Sequence, residues 1–160
     1  MTLHLQFKNQ LASMGRGGTA TLNLTEGRRE LTCILVEHNP LAVSFTELRL
    51  VTDALAGAKI ADLQKIGESL SKRLTYLLEP ISPIEADAEG CTLQMRSNPP
   101  QKDDDGRSYY ELVVRRGGEI ALRRYRKANG TAREIVPAMV TAEVLVRLVS
   151  DFDATLDSVN

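Results

Sequence analysis

Ser108-Tyr-Tyr-Glu-Leu-Val-Val-Arg-Arg-Gly-Gly-Glu-Ile-Ala-Leu-Arg-Arg-Tyr-Arg-Lys127 reads as a β-hairpin. Two runs rich in β-branched, aromatic and long side chains flank Gly117-Gly118, and paired glycines can take the positive φ angles of a two-residue hairpin loop. With that loop, Arg116 faces Glu119, Val114 faces Ala121, Leu112 faces Arg123 and Tyr110 faces Tyr125 on one side of the ribbon. The other side pairs Arg115 with Ile120, Val113 with Leu122, Glu111 with Arg124 and Tyr109 with Arg126. Tyr110, Leu112, Val114, Ala121 and Tyr125 are assigned to the interior, because burying the opposite side would sink the Glu111–Arg124 pair, and a buried ion pair gives little net stability. Val113, Ile120 and Leu122 then lie outside, ringed by Tyr109, Arg115, Arg124 and Arg126. Apolar residues framed by arginine and tyrosine have the make-up of a protein interface.

Outward from the hairpin, the chain alternates strand and helix periods. Leu3, Leu5 and Phe7 alternate with polar residues, which predicts a strand. Met14-Gly-Arg-Gly-Gly18 lacks the Lys-Ser/Thr ending of a nucleotide-binding loop and reads as a flexible turn. Thr19 to Thr25 and Glu30 to Glu37 predict two strands, the second apolar over Leu31–Val36 and so expected to be covered on both sides. Leu41 to Phe45 reads as the return strand and Glu47 to Val51 as a shorter one. Ile60, Leu63, Ile66, Leu70, Leu74 and Leu77 recur at steps of three and four, the apolar stripe of a helix over Ile60–Leu78 that Pro80 stops. Within it, Gly67 suggests a close backbone approach. Ile84–Ala88 and Cys91–Ser97 are the next strands, followed by a solvated, mobile connection over 98–107. A turn at Ala128–Gly130 leads into Thr131–Val136, and Thr141 is placed to cap a last helix that buries Val144, Leu145, Leu148, Val149 and Phe152. Its acidic end, Asp151–Asn160, is expected to fray.

These elements imply an α+β fold: a mainly antiparallel sheet with two amphipathic helices packed on one face. Ala20-Thr-Leu-Asn-Leu24 echoes Cys91-Thr-Leu-Gln-Met95, and Glu30-Leu31 echoes Glu111-Leu112, so two ββββα halves, 19–79 and 84–157, are one arrangement of this kind. With 160 residues, 42% of them hydrophobic, the chain suits a single domain over 1–160.

Composition narrows the function. A net charge of -1 supplies no global field toward nucleic acid or an anionic membrane. No signal-peptide pattern or apolar run near the ~20 residues of a membrane span is present, so a cytoplasmic location and no membrane partner are expected. Cys33 and Cys91 read as buried, reduced thiols. His4 and His38 stand in no ligand spacing with them, and Asp103, Asp105 and Gly106 echo half a calcium loop whose closing position is Leu112. Glu37, Glu85 and Asp87 read as solvated strand-end carboxylates. No catalytic residue, metal or cofactor is assigned. The expectation is a non-catalytic protein-interaction or structural domain, self-associating or binding another protein through Tyr109, Val113, Arg115, Ile120, Leu122, Arg124 and Arg126. Single-stranded nucleic acid is the alternative partner, because Arg115, Arg116, Arg123, Arg124, Arg126, Lys127 and Arg133 cluster beside tyrosines, although Glu111 and Glu119 oppose them. A small-ligand-binding domain is the second alternative.

Overall fold

Leu3, Phe7 and Leu11 recur at every fourth residue, and in the computed structural model, which describes residues 1–158, they are the buried stripe of a helix, α1 (Leu3–Met14). The strand expected over Met1–Phe7 is thereby overturned. A seven-residue alternation fits either period, and the repeat that continues to Leu11 decides for the helix, leaving Leu5 exposed. Glu26 accepts a hydrogen bond from the Leu3 backbone N–H at 2.9 Å, satisfying one donor of the first turn. Helix α2 (Ile60–Arg73) ends a turn earlier than its stripe, although Leu74 and Leu77 stay buried beyond it. Gly67 explains itself by the expected close approach, since a Cβ there would stand 2.4 Å from a Leu93 methyl. Helix α3 (Ala142–Asp157) begins as expected, with the Thr141 hydroxyl accepting from the Val144 N–H at 3.1 Å. Its acidic end does not fray at Asp151: Arg29 binds Asp153 and Asp157, and the Tyr76 hydroxyl donates to Asp151 at 2.6 Å. Residues 159 and 160 of that stretch lie outside the described residues.

The fold is α+β, with three helices and ten strands among the described residues. Strands β1 (Ala20–Glu26), β2 (Arg29–His38) and β3 (Ala42–Thr52) form one meander. Strands β4 (Ile81–Asp87), β5 (Thr92–Ser97), β7 (Gly106–Arg115) and β8 (Glu119–Ala128) form the other, and β3 joins β8 to give the antiparallel order β1-β2-β3-β8-β7-β5-β4. The connection 98–107 is partly ordered as β6 (Gln101–Asp103), which pairs with the start of β7. Strands β3 and β8 stay together only over Leu48–Val51 and Glu119–Leu122, and then part. The chain fills the fork: β9 (Glu134–Val136) returns along β8, Pro137 turns it, and β10 (Ala138–Thr141) leaves along β3.

All three helices share the core on one face of this sheet. The two strands expected over Leu41–Val51 are one, so the first half holds three strands rather than four. Strand β2 buries Leu31, Cys33 and Leu35 but leaves Ile34 exposed, so it is covered on one side, not two.

The hairpin turns over three residues, Arg116, Gly117 and Gly118, and its pairs run Arg115–Glu119, Val114–Ile120, Val113–Ala121, Leu112–Leu122, Glu111–Arg123, Tyr110–Arg124 and Tyr109–Tyr125. Only Gly118 of the two glycines has a positive φ, +94°. The physical reason for the extra loop residue is contact with β3: the Thr52 N–H donates to the Gly118 carbonyl at 2.7 Å, and a Cβ on Gly118 would fall 1.9 Å from the Thr52 carbonyl oxygen. The expected register is therefore wrong by one residue, and every β8 side chain changes sides.

The two glycines should consequently respond differently. Gly118→Ala is expected to destabilise by more than about 2 kcal/mol in urea unfolding, combining a disfavoured φ with a backbone collision. Gly117→Ala, with open space around it, should be neutral or stabilising by up to about 1 kcal/mol. Equal damage at both positions would restore the two-residue loop.

Candidate functional site

The corrected register disperses the expected contact surface. Ile120 and Leu122 are 0% exposed and pack with Leu112 and Val114 beneath the helices, so they belong to the core and not to a contact face. Ala121 and Tyr125, assigned to the interior, lie on the helix-free face, where Tyr125 stacks on Tyr109 with ring centroids 6.1 Å apart. Val113 is half-buried on that same face, and Arg115 is exposed there, paired with Glu119 at 2.7 Å. Arg124 and Arg126 project to the helix side beyond Leu122. Of the seven residues, Val113 and Arg115 share one surface, with Tyr109 buried on the same face, Arg124 and Arg126 share another, and Ile120 and Leu122 belong to neither.

The helix-free face is closed by its own side chains. Across β3, β8, β7 and β5 the residues Glu47, Arg123, Glu111 and Arg96 alternate in sign, with Arg123 bound to Glu47 and Arg96 to Glu111. Arg133, from the connection before β9, also binds Glu111 and lies 3.9 Å from the centroid of Tyr125, while Arg96 lies 4.5 Å from that of Tyr109. Gln94 donates to Glu111 at 2.9 Å. Glu47, Tyr109, Glu111 and Tyr125 are all buried beneath this arginine layer. Of the seven cations that suggested nucleic acid, Arg115, Arg123, Arg124, Arg126 and Arg133 each have a carboxylate partner, while Lys127 donates to the Thr131 carbonyl and Arg116 is exposed in the hairpin loop. Phosphate binding would have to break those pairs.

The helix side of the hairpin differs. Leu112, Val114, Ile120 and Leu122 lie under the helix layer, but that layer stops short of the next cross-strand pair, Tyr110 and Arg124. They form part of the lining of a cleft of about 470 Å³, completed by Leu77, Leu78 and Glu79 after α2, by Pro99, Pro100 and Gln101 before β7, and by Met139 of β10. Arg124 lies 4.6 Å from the Tyr110 ring centroid and donates to Glu79 Oε2 at 2.9 Å and to Gln101 Oε1 at 3.1 Å. Glu79 Oε1 is buried without a donor. Leu78 is 96% exposed and Met139 73% exposed. Leu78 also has φ +66°, a left-handed conformation costly for a leucine. Only Arg124 of this cleft was expected in a site. Leu78 gives no signal in the sequence, because it follows Leu74 by four and so continues the helix stripe; the early end of α2 gives the interior place to Leu77 instead.

Other chemistry finds little support. Cys33 and Cys91 are free and buried, and desolvation, then the nearby Glu47 carboxylate, pushes the Cys33 thiol up to about 12, far from a nucleophile's range. Among the described residues no three His, Cys, Asp or Glu side chains gather as metal ligands, and no helix is long and apolar enough to cross a membrane. A second cleft of about 470 Å³ opens between α1, α3 and the β2–β3 turn around Leu11, Val43 and Val146. Its histidine, His38, directs Nδ1 to the Gly15 carbonyl at 3.1 Å, so that nitrogen is already engaged.

The arginine layer has a pH signature. Burial alone would raise the Glu111 carboxyl, but Arg133, Gln94 and Arg96 outweigh it and hold the group below the usual carboxylate range. A lowered folded value contributes stability above the unfolded value near 4.5, and that stability is lost as pH falls through the folded one. Glu111→Gln should therefore be less stable than the parent at pH 7, with a deficit that narrows as pH drops below about 4 in urea unfolding. A deficit independent of pH would mean that the charge on Glu111 does not matter.

No protein-family model matches the chain, and no curated protein or solved structure matches it either.

Proposed function

We propose that this chain is a protein-interaction domain that receives a segment of another polypeptide in the cleft between Tyr110–Arg124 and the Leu77–Glu79 turn. The observation that carries this is Leu78. A leucine in left-handed backbone costs roughly 1–2 kcal/mol, and at 96% exposure it recovers nothing by burial. On stability alone glycine would serve better there. An apolar side chain held outward against its own backbone preference, with exposed Met139 across the same cleft, and with half-buried Arg124 and buried Tyr110 beneath, has the composition of an interface anchor. The hairpin still presents the contact, but through Arg124 and Tyr110 rather than through Ile120 and Leu122.

The ion pairs on the hairpin arginines favour a protein over single-stranded nucleic acid, since those cations are already engaged. The two reduced, buried thiols accord with work in the cytoplasm.

Leu78→Gly separates binding from folding. The variant should be as stable as the parent, or more stable by about 1 kcal/mol, in urea unfolding. Peptides selected from a random library on the parent protein should bind it at least about tenfold more weakly, the loss expected from one unburied leucine contact. Failure to select any peptide, or selected peptides that bind Leu78→Gly undiminished, would remove the cleft from consideration.

A further inference from the structure

We infer that two copies of this chain associate by pairing their β1 strands antiparallel about a two-fold axis at Asn23. Thr21-Leu22-Asn23-Leu24-Thr25 reads the same in both directions. In an antiparallel pair centred on Asn23, Thr21 of one copy stands opposite Thr25 of the other, Leu22 opposite Leu24, and Asn23 opposite itself. A strand that is its own complement points to a second copy rather than to an unrelated partner.

Strand β1 is one outer edge of the sheet, and its backbone is set for a neighbour. The β1–β2 turn has two residues, Gly27 and Arg28, with Gly27 at φ +58°, and it closes on Glu26 and Arg29. The pair flanking such a turn exchanges both ladder hydrogen bonds, so Leu24, Leu22 and Ala20 also bond to β2, while Thr25, Asn23 and Thr21 direct their N–H and C=O groups outward. Among the described residues the only hydrogen bond to these outward groups comes from Gln6 Nε2, 3.4 Å from the Thr25 carbonyl oxygen. Two-fold pairing uses them all: Asn23 exchanges both bonds with its copy, and Thr21 does so with Thr25. Leu24, half-buried at the rim of the core, then packs beside Leu22 of the other copy in the closer of the two antiparallel pair types.

Exposed strand edges are ordinarily blunted by proline, charge or a bulge. The opposite edge, β4, has all three: Pro83, the carboxylates Glu85 and Asp87, and a break in register between Pro83 and Glu85. Strand β1 has none. From Gly17 to Thr25 the chain carries no charged residue and no proline, although 26% of its residues are charged, and the β1–β2 register runs uninterrupted. Gln6, Asn9, Gln10 and Ser13, at helical spacing on the flank of α1 that reaches Thr25, add no charge. Joining two β1 edges leaves β4 at both ends of the combined sheet, so association stops at a dimer.

Sedimentation velocity of the full chain from about 10 µM to about 1 mM tests this. A strand pair is smaller than a standard interface, so the expected result is a monomer–dimer equilibrium within that range and nothing larger. Asn23→Lys and Asn23→Glu each set like charges opposite one another on the axis, and each variant alone should associate at least about threefold more weakly than the parent. An equimolar mixture of the two should recover the dimer as a heterodimer, which a folding defect could not produce. In the parent, hydrogen exchange at the Thr21, Asn23 and Thr25 amides should slow as concentration rises, while exchange at Leu22 and Leu24 stays unchanged. A parent that remains monomeric to about 1 mM, variants that associate as strongly as the parent, a mixture that recovers nothing, or species larger than a dimer would each overturn the inference.

Discussion

The hydrogen bond from the Thr52 N–H to the Gly118 carbonyl, with no room between the two backbones for a Cβ, fixes how the two halves of the sheet meet. It seats the hairpin loop against the end of β3 and aligns Leu48 with Leu122 and Leu50 with Ile120. Because side chains alternate along a strand, this single contact decides that Ile120 and Leu122 enter the core and that Ala121, Arg123 and Tyr125 face away from the helices. The fork in the sheet follows from it as well. Strands β3 and β8 are held together only near that loop, and the gap that opens beyond Leu48 and Leu122 is filled by β9 and β10. Met139 of the cleft comes from one of those two filling strands.

This dependence explains which features were legible in the sequence. Helices α2 and α3 were read from local periodicity, and the Thr141 cap from a local donor–acceptor match, because each signal lies within a few residues of its effect. The loop type of the hairpin was not local. Two adjacent glycines permit both a two-residue and a three-residue turn, and the choice is made by Thr52, more than sixty residues upstream. An error of one residue left the β7 assignments intact and reversed those on β8, which is the form a register error must take. Helix α1 failed for a different reason: the chain's first seven residues, Met1–Phe7, satisfy both periods, and the tie is broken by Leu11.

The short sequence echo acquires a position in the structure. Ala20–Leu24 lies in β1 and Cys91–Met95 runs into β5; Glu30-Leu31 lies in β2 and Glu111-Leu112 in β7. In the order β1-β2-β3-β8-β7-β5, these are equivalent places on either side of the β3–β8 junction. Each three-strand meander is also preceded by a helix, α1 in one half and α2 in the other, with β4 added at the second outer edge. In both halves a helix precedes the strands, whereas the sequence suggested strands followed by a helix. The single strand β3, read as two, obscured the count.

Both faces of the hairpin pair their charges, with different surroundings. On the helix-free side, Glu111 receives Arg133, Arg96 and Gln94, and the tyrosines beneath are covered by guanidinium groups, although Arg96 Nε and Arg49 Nε are themselves buried without a partner. In the cleft, Arg124 satisfies one oxygen of Glu79 and leaves the other, and the adjacent residue Leu78 is both strained and exposed. Leu78 is thus a residue at which backbone preference and burial are both unmet, and Glu79 beside it keeps one oxygen without a donor, so local consistency fails at two consecutive positions of one cleft.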